Sequence, residues 1–144
     1  GVSLLEVLIA VVVLAVGLLG IARLQTQTLK LNHSAAQRSQ AVMLAYYIMD
    51  AMRVNRTAAA AGAYNTGSPS NPTCSAPTAS GRLASHDLAD WFDRLKENLG
   101  NADTTCAMIN CDTNNPPRCT VRILWDDSRA GGATNQSIEL TSQL

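Results

Sequence analysis

The sequence predicts an α+β chain: one long N-terminal helix packed on a small antiparallel sheet, with one extra short helix and a long loop. Three observations carry this. The first 22 residues are almost free of charge, and the helical pattern runs on past them with no proline before Pro69. A second apolar helical face lies just before Gly100. The last third alternates apolar and polar residues between turn signals.

Residues 1–23 form the hydrophobic segment. Glu6 is its one acid, and from Val7 to Ala22 there are 16 residues without a charge. With Val2, Leu4 and Leu5 the run approaches the ~20 residues that span a bilayer as a helix. A carboxylate in that setting costs roughly 2.5–3.5 kcal/mol at a helix centre and less near an end, so Glu6 requires a reason. A secretory signal fits poorly: no basic residue precedes the apolar run, and cleavage after it would cut a continuing helix.

Residues 24–56 continue the helix in amphipathic form. Leu24, Leu31, Ala35, Val42, Tyr46, Met49 and Met52 are expected on one face, packed on the head, with Gln25, Gln27, Lys30, Asn32, Gln37, Arg38 and Gln40 facing water. Gly17 and Gly20 either allow close helix approach or mark where the helix can melt, since each lowers helix propensity by roughly 1 kcal/mol.

Residues 57–144 form a small head. Thr57 to about Ala84 reads as a long loop rich in Gly, Pro and Ser. A helix over 86–99 follows, with Ser85 as the expected N-cap and Leu88, Trp91, Phe92, Leu95 and Leu99 as its buried face; Gly100 ends it. Strands are expected near 104–110, 119–125 and 136–142, as a meander. Asp126-Asp127 and the pair Asp93 and Glu97 read as solvated surface.

Four cysteines, Cys74, Cys106, Cys111 and Cys119, all lie in the head. An even count in a small extracytoplasmic head implies two disulfides with three connectivities open. Pairing Cys111 with Cys119 would close the Pro116-Pro117 loop, and Cys74 with Cys106 would pin the long loop to the sheet. His33 and His86 lack ligand partners, so no metal is expected. Net charge is zero, which gives no footprint for nucleic acid. No nucleophile constellation or phosphate loop is present, so neither enzyme activity nor a cofactor is expected. Asn55-Arg56-Thr57 and Asn135-Gln136-Ser137 match the short N-glycosylation pattern.

Gly1-Val2-Ser3-Leu4-Leu5-Glu6 and the apolar run after it resemble the class III prepilin signature. The resemblance implies cleavage between Gly1 and Val2 by a prepilin peptidase, N-methylation of Val2, and a basic leader once ahead of Gly1. Gly17 to Gly20, Leu24-Gln25, Ala45-Tyr46 through Asp50, Met52 to Arg56, Gly62-Ala63-Tyr64, Asp87 to Trp91 and Trp125-Asp126 resemble the PilV-type minor pilins (type IV pilus modification proteins). The fold implied is the pilin fold. The implied role is a minor subunit held in the bacterial inner membrane with its head in the periplasm, then placed in the cell-surface pilus. Other minor pilins, the major pilin and the inner-membrane assembly machinery would be its partners. Such a subunit primes assembly and supports twitching motility and adhesion. Glu6 would meet the Val2 amine of an adjacent subunit, or its own amine within one helix. The competing readings are a minor pseudopilin of a type II secretion system and a membrane-tethered binding protein that does not polymerise.

Overall fold

The computed structural model describes residues 1–101 and 103–144 and has the α+β architecture expected from the sequence. Helix α1 spans Leu4–Val54, α2 Arg56–Ala60 and α3 Leu83–Leu99. Strands β1 (Cys106–Cys111), β2 (Arg118–Trp125) and β3 (Gln136–Gln143) form a meander in the order β1-β2-β3, antiparallel throughout. A short 3₁₀ turn, Ser128–Ala130, lies in the β2–β3 connection.

Helix α1 starts where Ser3, in extended conformation, accepts the Leu5 N–H on its Oγ. Its 51 residues extend about 75 Å at 1.5 Å each. It ends two residues short of the expected Arg56. Asn55 leaves helical geometry at φ −113°, ψ 46°, and α2 then departs as a separate turn.

Only the far part of α1 meets the head. Ala41, Leu44, Ala45, Ile48, Met49 and Met52 are its buried residues. The expected stripe is therefore corrected: Met49 and Met52 lie in the core, whereas Leu24, Leu31, Ala35, Val42 and Tyr46 are exposed. Gln37 and Gln40, expected to face water, are half-buried.

Helix α3 presents the predicted face, with Leu88, Trp91, Phe92, Leu95 and Leu99 all buried and Ala84 added. Trp91 and Phe92 meet edge-to-face at 5.3 Å, and Trp91 Nε1 donates to the Leu44 carbonyl of α1 at 2.9 Å. The indole thus fills core volume while its polar atom is satisfied. The start of α3 differs from expectation. Arg82 is the N-cap residue and Ser85 sits inside the first turn, because its Oγ is engaged locally, donating to the Arg82 carbonyl and accepting the Ser80 N–H.

In β2 buried and half-exposed residues alternate, and Cys119, Val121, Ile123 and Trp125 point into the core. Strand β1 starts at Cys106, two residues after the expected position, and is buried on both faces apart from Asn110. The long loop covers it. Thr66 and Ile109 exchange both backbone bonds (3.0 and 2.9 Å), and so do Thr73 and Ala107 (2.9 and 2.7 Å). Asn65 then caps the end, its Oδ1 accepting the Cys111 N–H at 2.8 Å. Gly67, at φ +63°, permits this closeness: a Cβ there would sit 2.8 Å from the Thr73 nitrogen.

Candidate functional site

The residues singled out by the sequence fall into two separate places, the projecting half of α1 and the stapled head. Gly1 and Val2 precede α1 and are exposed; Glu6 is in its first turn, where an acid is favourable to the helix dipole. Every residue from Gly1 to His33 is exposed. The apolar window of this segment has none of its residues covered by the rest of the chain, and it is long and apolar enough to cross a membrane.

Among the described residues Glu6 makes no ion pair. Among the described residues the ion pairs are Asp50–Arg53, near the end of α1, and Asp90–Arg94, on α3. The helix passes through Gly17 and Gly20 without a break, and a Cβ at either would meet nothing within 4 Å. Both glycines are therefore free to lie against another helix.

All four cysteines are paired, Cys74 with Cys106 and Cys111 with Cys119. Topology explains the choice. The Thr73–Ala107 bridge brings Cys74 beside Cys106, and Cys111 lies directly opposite Cys119 in the β1–β2 register. One bond pins the long loop to the sheet, and the other closes the loop holding Pro116 and Pro117.

The projecting helix is fixed to the head at a neck. Ser34 Oγ donates to Asp127 Oδ2 at 2.5 Å, and Gln37 Nε2 donates to the Leu99 carbonyl at 3.4 Å. Asp127 is 2% exposed, which corrects its reading as solvated surface. Its carboxylate packs against Gly132, where a Cβ would collide with Oδ2. Sequence reasoning missed this residue because adjacent acids in a turn resemble a surface; the available signal was the Gly131-Gly132 pair after it. Lys30, His33, Gln37, Glu97, Asp127 and Arg129 line an open groove of about 730 Å³ at this neck.

Further along, α1 is tied to both layers of the head. Arg38 donates to Gln136 Oε1 at 3.2 Å and Arg53 to Ser142 Oγ at 3.1 Å, so α1 and β3 run in the same direction. Tyr47 donates to Asp90 Oδ2 at 2.8 Å, beneath the Arg94 guanidinium. Arg94, then Tyr47, hold the Asp90 carboxyl below the usual range, while the bond to Asp90 raises Tyr47. Tyr64, fully buried, donates to Asp87 and accepts from Asn55; burial first, and the Asp87 bond second, push its hydroxyl up to about 12. Asn55 is thereby half-buried and bonded, while Asn135 is exposed.

His33 is exposed at the neck and His86 exposed on α3. Among the described residues no three His, Cys, Asp or Glu side chains are grouped to hold a metal ion. The arrangement offers an oily rod with one acid at its tip, joined rigidly to a disulfide-stapled head. No family model, curated protein or solved structure matches the chain.

Proposed function

We propose that this chain is a minor pilin of the PilV type, a structural subunit of a type IV pilus. The single observation that supports this most is the division of α1. Its first half is apolar on all sides and carries one carboxylate, Glu6; its second half continues unbroken into the core of the head. A plain membrane anchor has no use for Glu6 and no need of rigid continuity with the head.

In this reading the projecting half first rests in the inner membrane, with the head in the periplasm, where both disulfides form. Prepilin peptidase cuts between Gly1 and Val2 and methylates the new amine. The subunit then joins other minor pilins, primes assembly and enters the pilus through helix packing, where it supports twitching motility and adhesion. Gly17 and Gly20 allow close approach of neighbouring helices and lower the cost of local melting within the fibre.

Glu6 sets the position of each subunit. Within an apolar layer its carboxylate pairs with the amine on Val2 of the adjacent subunit. Removing one partner of a buried ion pair costs roughly 3–5 kcal/mol, so a subunit out of register is rejected.

Mass spectrometry of sheared surface filaments tests this reading. The expected result is a mature chain beginning at methylated Val2, in small amount beside a major subunit. Absence from filaments, together with loss of protein secretion on deletion, would assign the chain to a secretion pseudopilus instead. A chain that retains its leader would exclude both.

A further inference from the structure

The charge on α1 is one-sided. Between Glu6 and Asp50 the helix has no acid, and its Lys and Arg residues there are Arg23, Lys30 and Arg38. Those nearer the head are engaged: Arg38 donates to Gln136, and Arg53 to Asp50 and Ser142. Arg23 and Lys30 are exposed, and among the described residues neither makes an ion pair or a side-chain hydrogen bond.

Their place on the helix is specific. From Leu4 to Ala22 the apolar run rises about 28 Å, close to the ~30 Å of a bilayer's hydrocarbon core. Arg23 therefore stands where hydrocarbon gives way to headgroups. Lys30 follows after two turns, on the same face and about 10 Å further up. Helical side chains lean toward the N-terminus, so both long cations reach back toward the edge of the apolar run. Gln27, also exposed, lies between them on that face. Thr26 does not compete, since its hydroxyl donates to the Ala22 carbonyl at 3.0 Å.

Cations beside a membrane span are favoured on the cytoplasmic side. With the head on the opposite side, Arg23 and Lys30 stand against that bias, and no acid of α1 offsets them. The anions at their level are lipid phosphates. A guanidinium grips a phosphate in two parallel bonds, and an ammonium adds a compact charge. We propose that Arg23 and Lys30 form a headgroup site for an anionic glycerophospholipid of the head-side leaflet. Its phosphate lies between the two cations, the Gln27 amide meets the headgroup hydroxyls, and the acyl chains run along the apolar half of α1. Glu97, Asp126 and Asp127 line the neck groove with Lys30 and offset part of its charge, so Arg23 is the principal contact. The contact fixes the depth of α1 and the face that it turns to lipid. It rests on the membrane placement proposed above, and not on entry into a filament.

The test is native mass spectrometry of the full chain, extracted from membranes in a neutral detergent and titrated with phosphatidylglycerol or phosphatidylcholine. The expected result is preferential retention of phosphatidylglycerol. Arg23→Gln should weaken that retention roughly fivefold, the worth of one basic residue at an anionic surface. Adding Lys30→Gln should weaken it further and bring it to the phosphatidylcholine level, with an unchanged unfolding midpoint of the head. Equal retention of the two lipids by the unaltered chain overturns the proposal. So does full retention by the double variant. Glycerol 3-phosphate that displaces the lipid at equal concentration would assign the site to a free phosphate and overturn it as well. A chain recovered without detergent in the soluble fraction would overturn the membrane placement and this contact with it. Absence of the chain from filaments would overturn the pilin reading alone.

Discussion

The two halves of α1 share one continuous backbone and have opposite surroundings. Leu14 is 65% exposed, whereas Ile48, thirty-four residues on, is fully buried. Burying a large aliphatic side chain is worth about 1.5–3 kcal/mol. The head recovers that amount at Leu44, Ile48, Met49 and Met52. The projecting half recovers none of it from its own chain, although Val11, Val12, Val13, Leu14, Val16, Leu18 and Leu19 all lie there. A patch of that kind marks a surface to be covered by something else. The head, by contrast, is complete in itself: stapled twice, tied to α1 at Ser34, Arg38, Tyr47 and Arg53, and closed at the β1 edge by its own loop.

That contrast can be broken most strongly from the head side. Trp91→Ala removes the largest side chain between α1 and α3, together with its bond to Leu44, and should lower head stability by roughly 3–5 kcal/mol in denaturant unfolding. A small effect would mean that α1 and α3 do not share one core.

The disulfides come next, and they should differ from each other. Cys74–Cys106 spans 32 residues and Cys111–Cys119 spans 8. Chain entropy then gives roughly 3–4 kcal/mol for the first and roughly 2–3 for the second. Paired Cys→Ala variants, compared by thermal unfolding, should preserve that order. The reverse order would place the strength of the head in the closed loop of Pro116-Pro117 rather than in the tether of the long loop.

A smaller effect is expected at Tyr64. Its hydroxyl titrates near 12 in the folded head against 10.0 ordinarily. The folded state therefore holds the proton more tightly, and the stabilisation is fully present below pH 10 and declines from there toward 12. The loss amounts to about 1–3 kcal/mol. Tyr64→Phe should remove this alkaline limb from the stability profile. An unchanged limb would assign it to other groups.

The smallest effect belongs to the projecting half. Leu14→Ala should change head unfolding by under ~0.5 kcal/mol in detergent, because that side chain touches nothing in the head. A larger change would show that the two halves are energetically coupled.

Much of this division was legible in the sequence, and the misses have physical causes. The face of α3 is legible except for Ala84, because its aromatic and leucine residues keep helical spacing over a short span. The expected stripe on α1 departs from the buried face for two reasons: Leu24 and Leu31 precede the part of the helix that the head covers, and Val42 and Tyr46 lie to one side of the face formed by Ala41, Leu44, Ala45 and Ile48. Ala41 and Ala45 escape notice because small residues carry little hydrophobic signal, although both are buried in the core. Tyr64 sits in a stretch that composition marked as loop, and its burial comes from α2 and the loop folding back on β1. The disulfide pairing was readable once the strands were approximately placed, since register alone sets Cys111 opposite Cys119. For Asp127, a charged residue in a turn gave no hint that Ser34, 93 positions earlier, would reach it.

The measurement that tests the central claim most directly is the ratio of filament-borne to membrane-borne protein for Glu6→Val. The substitution removes the one acid from the oily segment and touches nothing in the head. The account predicts normal membrane insertion, an unchanged head unfolding midpoint and at least a tenfold fall in filament entry, which corresponds to about 1.4 kcal/mol or more of lost pairing. Entry into filaments at the unaltered level would contradict it, leaving the projecting half of α1 as an anchor and nothing more.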